Sequence, residues 1–149
     1  MTQATKTLYE ADFVQWSDCT AQLLREHRFS DLDLDHLIEE IEDLGNRHRD
    51  ALESQLTRLL MHLLKYEFQP EQRSGSWLVS IKESRKQINR LCRRYPSLKP
   101  YLEQCWAECY ADAIEDASDE TGLPQSQFPA RCPYAIAEVL NPEFLPNDV

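Results

Sequence analysis

Apolar residues in this chain recur every three or four positions and almost nowhere at every second position. The longest such run lies between residues 34 and 68. It keeps the following residues in one helical phase: Leu37, Ile38, Ile41, Leu44, His48, Leu52, Leu56, Leu59, Leu60 and Leu63. This spacing forms one stripe along a helix, whereas a half-buried strand would alternate apolar and polar residues. The sequence therefore predicts an all-α fold of the helical-bundle type.

The same periodicity predicts four principal helices, over about residues 8–27, 34–68, 76–95 and 97–121. Phe13, Trp16, Thr20, Leu23, Leu24 and His27 form the stripe of the first one. Gly45 lies inside the second, where the helix could kink or two helices could meet. The apolar phase continues through the glycine and favours one long helix, with or without a bend. Pro96 ends the third, Ser97 is a candidate cap for the fourth, and Gly122 ends the fourth.

The segment after Leu123 differs from the helices because it contains five of the eight prolines. It also carries many apolar side chains, namely Phe128, Tyr134, Ile136, Val139, Leu140, Phe144 and Leu145. A proline-rich segment with this apolar content is typical of an ordered strap packed on the bundle rather than a free linker. At 149 residues, the chain is predicted to form a single domain over residues 1–149.

Composition excludes several classes of protein. The net charge of −10 opposes non-specific binding to nucleic acid or to anionic membranes. No apolar run approaches the ~20 residues that span a bilayer, and the start of the chain does not resemble a signal peptide.

Five cysteines without a Cys-x-x-Cys pair predict a reduced, cytoplasmic protein. Cys105 and Cys109 lie one helical turn apart and could share a metal, but small core residues are the favoured interpretation, so no metal and no cofactor are expected.

Several short strings resemble the signature of one bacterial family that is abundant in cyanobacteria. They are His62-Leu63-Leu64-Lys65-Tyr66, Gln69-Pro70, Ser76-Trp77, Glu39-Glu40-Ile41-Glu42, Leu44-Gly45, Pro96-Ser97-Leu98, Glu120-Thr121-Gly122-Leu123-Pro124, Phe128-Pro129 and Cys132-Pro133-Tyr134. Leu8-Tyr9-Glu10, Asp12-Phe13 and Phe144-Leu145-Pro146 match its opening and its close. The chain is similar over almost its whole length to the domain-of-unknown-function family numbered 29, although Tyr66 stands where tryptophan is usual. The resemblance implies an all-helical, bundle-like fold and no activity.

Arg85 lies at the centre of the apolar seam of the third helix. A buried guanidinium needs a partner, so we expect a carboxylate from Glu39, Glu42 or Glu53 to meet it, as a bridge that fixes helix register. Alternatively, Arg85 lies at the floor of a pocket and binds an anionic ligand. With His62, these residues form a candidate buried polar cluster.

No catalytic motif accompanies this cluster. Glu-x-x-His, His-Glu-x-x-His and Gly-x-Ser-x-Gly patterns do not occur in the sequence, so the catalytic residues are unknown and an enzyme is disfavoured. A lone histidine such as His62 is more often a hydrogen-bonded structural residue than a ligand.

Charge is segregated along the chain. Residues 73–99 carry eight basic residues and one acid, whereas residues 31–43 and 103–120 each carry seven acids and no lysine or arginine. In one interpretation, the basic helix lies between acidic neighbours, whose charges select the pairing of the helices. In the other, it exposes a basic surface for a polyanion or an acidic partner. That surface would comprise Arg73, Lys82, Lys86, Arg90, Arg93 and Arg94.

Three functions follow as hypotheses. The first is a small cytoplasmic interaction module that works through a protein partner or through self-association. The second is a nucleic-acid-associated protein that uses the basic third helix. The third is an uncharacterised enzyme or small-ligand binder with its site around Glu42, Glu53, His62 and Arg85.

Overall fold

The computed structural model of the chain describes residues 3–146, apart from the side chains of residues 3, 4 and 6. Within that range it is helical, without strands, which confirms the all-α prediction. The helices are α1 (Gln3–Ala11), α2 (Phe13–Arg25), α3 (Leu34–Phe68), α4 (Gly75–Arg94), α5 (Leu98–Thr121) and the short α6 (Ile136–Leu140). Turns of 3₁₀ helix occupy Phe29–Asp31, Pro70–Gln72 and Gln125–Gln127. None of the helices in this part of the chain is long and apolar enough to cross a membrane.

The contacts between residues divide the chain into two compact units, Met1–Arg47 and His48–Val149. The division falls within α3, and each unit is described below by itself. A single domain over residues 1–149 stays a prediction.

Helix α3 runs for 35 residues without interruption, as predicted. Gly45 lies inside it on an exposed position. A glycine inside a helix costs about 1 kcal/mol relative to alanine, which a helix of this length tolerates. Asp33 precedes the helix and accepts a hydrogen bond from the backbone N–H of His36 through its side chain, at 3.5 Å. Pro70 lies two residues beyond the last helical residue.

The prediction of one helix over residues 8–27 is wrong, because the chain breaks at Asp12 between α1 and α2. Asp12 has an extended backbone, and its side chain accepts a hydrogen bond from the backbone N–H of Gln15 at 3.1 Å. This is the geometry of an N-cap, which satisfies an amide that has no partner inside the helix. Of the predicted stripe on α2, Trp16 and Thr20 are buried.

Helices α4 and α5 begin and end within one residue of the prediction. The side chain of Ser74 caps α4 by accepting from the backbone N–H of Trp77. Ser97 precedes α5, but its side chain makes no capping hydrogen bond. Gly122 ends α5 with a φ of 76°, a left-handed conformation that glycine adopts without steric cost.

The core of the second unit is formed by leucines of α3 together with apolar residues of α4, α5 and the strap. Its buried members include Leu52, Leu56, Leu59, Leu60, Leu63, Leu64, Ile81, Ile88, Leu102, Cys105, Cys109 and Ala113. Phe128, Tyr134 and Val139 of the strap are buried in the same cluster. The hydroxyl of Tyr134 donates to the backbone oxygen of Leu63 at 3.3 Å, and that of Tyr110 donates to Pro129 at 2.6 Å. The strap is therefore ordered and packed, as predicted.

Candidate functional site

Arg85 is buried on α4 and binds the strap. Its Nε donates to the backbone oxygen of Val139 at 2.7 Å, and its two terminal nitrogens donate to Pro142 at 3.2 Å and Phe144 at 2.9 Å. Asn89, one turn further along α4, donates to the backbone oxygen of Leu140 at 3.2 Å. Burial lowers the pKa of Arg85, but a guanidinium stays charged in proteins.

The predicted bridge between Arg85 and Glu39, Glu42 or Glu53 is therefore wrong. The acceptors are backbone carbonyls instead of carboxylates. Val139 and Leu140 lie in the last turn of α6, where carbonyls have no partner within the helix and carry partial negative charge. A cation with several donors satisfies such a helix end and the turn that follows it. Arg85 thus anchors the strap to α4.

The other members of the predicted buried cluster have surroundings of their own. Glu39 and Glu42 are exposed on α3 in the first unit. In the second unit, Glu53 accepts a hydrogen bond from the hydroxyl of Tyr101 at 3.2 Å. The ring Nδ1 of His62 lies 2.9 Å from the backbone oxygen of Arg58 within the same helix. Burial lowers the pKa of His62, which favours the neutral ring.

Lys65 is a buried charge whose surroundings the sequence analysis missed. Its Nζ lies 3.0 Å from Oε1 of Glu120 and 4.7 Å from the ring centre of Trp77. A carboxylate and an aromatic face both stabilise a buried ammonium, so this contact joins α3, α4 and α5. The three residues come from three of the strings that carry the family resemblance. The available signal was a lysine directly after Leu63 and Leu64, at the end of the most apolar part of α3.

A groove of about 580 Å³ lies beside α4, between this helix and the end of the strap. Ile81 and Arg85 line it as buried residues. Leu78 of α4 and Leu145 of the strap line it with side chains that are 43% and 38% exposed. Apolar side chains left open to water in a concave surface are the common mark of a binding site. The groove depends on Arg85, because this residue holds the strap beside α4.

Lys82, Lys86 and Arg93 line the same groove and are exposed. Among the residues that the structure describes, these three side chains make no ion pair. Glu143 is the one acid among the lining residues. The groove thus combines an apolar surface with a positive rim.

The predicted basic surface is only partly a surface. Arg90 and Arg94 are exposed together with the three rim residues, and the guanidinium of Arg94 lies 5.6 Å from the ring centre of Tyr95. Arg73 does not belong to it, because it is half-buried in the turn before α4. Its Nε donates to the backbone oxygen of Tyr66 at 2.7 Å, and its guanidinium lies over the ring of the same residue at 4.0 Å. Its inclusion in the predicted surface is wrong.

Cys105 and Cys109 are both buried in the core. Burial raises the pKa of Cys105 to about 12 and also raises that of Cys109. Metals and electrophiles react with the thiolate, so these cysteines are in the unreactive form at neutral pH. This arrangement fits core residues rather than metal ligands.

The first unit contains its own polar cluster. The ring of Tyr9 stacks on that of His36 with 3.8 Å between ring centres, and the Tyr9 hydroxyl donates to Glu40. Nδ1 of His36 pairs with the buried carboxylate of Asp33, which raises the pKa of His36. These contacts attach α1 to the start of α3.

The fold and the groove define an all-helical protein with a positively rimmed apolar groove closed on one side by an anchored strap. The chain matches the family model described as Domain of unknown function DUF29 over residues 8–145, and it belongs to that family. The match confirms the resemblance and assigns no activity. Comparison with curated proteins and with solved structures found no match.

Proposed function

We propose that this protein is a small interaction module that binds an acidic, amphipathic helical segment of a partner protein in the groove beside α4. The observation that carries this proposal is a set of three exposed cations around apolar side chains, which make no ion pair within residues 3–146. The cations and the apolar side chains each favour one property of the ligand.

The rim selects for charge. Lys82, Lys86 and Arg93 attract a segment with carboxylates at matching positions, and opposite charges across an interface provide specificity and speed association. They follow one another at four and seven residues along α4, so they lie on one face over ~17 Å. A helical ligand with acids spaced by one or two turns matches that pattern.

The apolar part selects for amphipathicity. Leu78 and Leu145 remain partly open to water, and a ligand that covers them gains about 25 cal/mol for each Å² of apolar surface buried. An amphipathic helix laid in a groove is a common mode of peptide recognition, and it supplies both apolar anchors and flanking acids.

Nucleic acid is the second candidate, because Arg90 and Arg94 add two more exposed cations to the C-terminal half of α4. The net charge of −10 opposes long-range attraction of a polyanion. The apolar part of the groove makes no favourable contact with a phosphate backbone. A protein ligand is therefore favoured. We place the protein in the cytoplasm, where the five free cysteines stay reduced.

Fluorescence anisotropy with a labelled acidic amphipathic helical peptide tests the proposal, with labelled single-stranded DNA as the competing probe. The peptide is expected to bind the wild-type protein, more weakly at high salt. The double variant Lys82→Glu/Lys86→Glu should weaken binding at least about tenfold, because it replaces two attractions by two repulsions.

A matched control is Lys99→Glu/Arg131→Glu, which changes the net charge equally at two exposed positions outside the groove. It should leave the affinity within about twofold, since remote surface charges are screened. Equal loss in both variants would show that only net charge matters and would refute the groove. Binding of DNA without binding of the peptide would replace this proposal by the second candidate.

A further inference from the structure

The first eleven residues of α3 expose an apolar stripe. Leu34, Ile38, Ile41 and Leu44 are 54%, 53%, 60% and 55% exposed. They follow one another at intervals of four, three and three residues, so they share one face of the helix over ~15 Å. Single exposed leucines are ordinary, but a contiguous row of this kind is typical of a surface that contacts another protein.

We call Leu34, Ile38, Ile41 and Leu44 the α3 stripe, and acidic residues flank it. At 100° per residue, Asp35, Glu39 and Glu42 lie along one side of it, and all three are exposed. Residues 31–43 contain seven acids and no lysine or arginine. The start of α3 is thus an acidic amphipathic helix. This is the kind of ligand that we propose for the groove beside α4.

We propose that the partner of the groove is a second copy of this chain, whose α3 stripe docks there. This inference rests on the proposed function and names the ligand. The four apolar side chains of the stripe cover Leu78 and Leu145, and its acids face Lys82, Lys86 and Arg93. The stripe is ~15 Å long, and the part of α4 that lines the groove, from residue 78 to residue 93, is ~22 Å long, so the stripe fits within it.

Each copy carries one stripe and one groove. A contact between two different surfaces either closes into a ring of copies or continues as an open chain of copies. We therefore expect association that depends on protein concentration and weakens with salt.

Sedimentation velocity over a range of concentrations, with charge reversal on each side, tests this inference. Glu39→Lys/Glu42→Lys places a basic stripe against a basic groove, and Lys82→Glu/Lys86→Glu places an acidic groove against an acidic stripe. Each variant alone should associate at least about tenfold more weakly than the wild type. An equimolar mixture should associate again, because the basic stripe of one variant meets the acidic groove of the other and the remaining pair is wild type.

Two controls separate charge from apolar contact. Glu103→Lys/Glu108→Lys makes the same change of net charge on exposed positions of α5 and should associate as the wild type does. Ile41→Ser removes one apolar side chain that is already 60% exposed, so it should weaken association without lowering the stability of the monomer. Circular dichroism of each variant confirms that its helices are intact.

Recovery in the mixture supports the inference. A wild-type protein that stays monomeric at every concentration overturns it, and so does a mixture that fails to recover when each variant alone has lost association. In both cases, binding of the acidic peptide to the wild-type groove would leave the proposed function standing with another protein as its partner. Loss of both peptide binding and self-association would remove the two together.

Discussion

Replacing Arg85 by methionine is the most informative single change in this fold. Methionine keeps an unbranched apolar stem but removes the guanidinium, so the backbone oxygens of Val139, Pro142 and Phe144 lose their donors. The strap then lacks its anchor on α4. We expect the protein to be clearly destabilised and the groove to be disturbed with it.

The magnitude follows from the burial of the three bonds. The bond to Val139 is buried, and a buried acceptor left without a donor costs about 1–3 kcal/mol. The bonds to Pro142 and Phe144 are partly buried, so water replaces much of what those carbonyls lose. Removing a buried charge also returns part of its desolvation cost. The net loss in the free energy of unfolding is about 2–4 kcal/mol.

Urea unfolding followed by circular dichroism measures this loss. With a slope of about 2 kcal/mol per molar urea, the midpoint should fall by about 1–2 M. Arg90→Met is the matched control, because Arg90 lies exposed on the same helix and its replacement should change stability by less than about 0.5 kcal/mol. The rate of trypsin cleavage at the exposed Arg131 is a second measurement. Cleavage should be faster in Arg85→Met, because Arg131 lies in the strap that has lost its anchor. If Arg85→Met unfolds as Arg90→Met does and its cleavage is unchanged, the anchoring role is refuted.

Three further predictions concern an ion pair, the cysteines and the apolar core. Asp33 raises the pKa of His36 above 6.5, so the ion pair stabilises the first unit fully below pH 6.5. This stabilisation is lost as the pH rises through the raised pKa. Asp33→Asn should lower the pKa of His36 in an NMR titration, and an unchanged pKa would contradict the pair. The exposed Cys19 should react rapidly with a thiol reagent, whereas the buried Cys105 and Cys109 should react only on unfolding, and equal rates in the native protein would contradict their burial. Leu59→Ala should cost about 2–5 kcal/mol in urea unfolding because it leaves a cavity in the core. Val79→Ala, at an exposed position of α4 outside the groove, should cost less than about 1 kcal/mol, and similar losses would show that the core is misplaced.

Most of the fold could be predicted from apolar periodicity. Helix α3 was predictable through Gly45 because its stripe keeps one phase on both sides of the glycine, and phase is what packing requires. The break at Asp12 was missed because the stripe of α2 continues in phase into α1. The spacing of Asp12 and Gln15, a short acid followed three residues later by glutamine, is a helix-start signal that could have located it.

The candidate site was less predictable. Periodicity correctly placed Arg85 in the interior, since it lies on the same face as Ile81 and Ile88. Its partner could not be predicted from side-chain chemistry, because the acceptors are backbone oxygens whose direction depends on how the strap turns after α6. The groove has the same origin, because Leu145 reaches α4 only once the strap is folded.

The exposure of Lys82 and Lys86 was left open by the sequence for a related reason. A basic helix between acidic segments is compatible with internal pairing and with a free surface, and only the fold distinguishes them. In the structure both side chains are exposed and line the groove, and no ion pair involves them among the described residues.

We propose the groove beside α4 as the binding surface of this protein. Backbone amide chemical shifts measured by NMR, with and without an acidic amphipathic peptide, test it most directly. We predict amide shifts concentrated in residues 78–93 and 143–145, which vanish in Lys82→Glu/Lys86→Glu. Shifts concentrated elsewhere in the protein, or none at peptide concentrations that saturate the anisotropy signal, would contradict the claim.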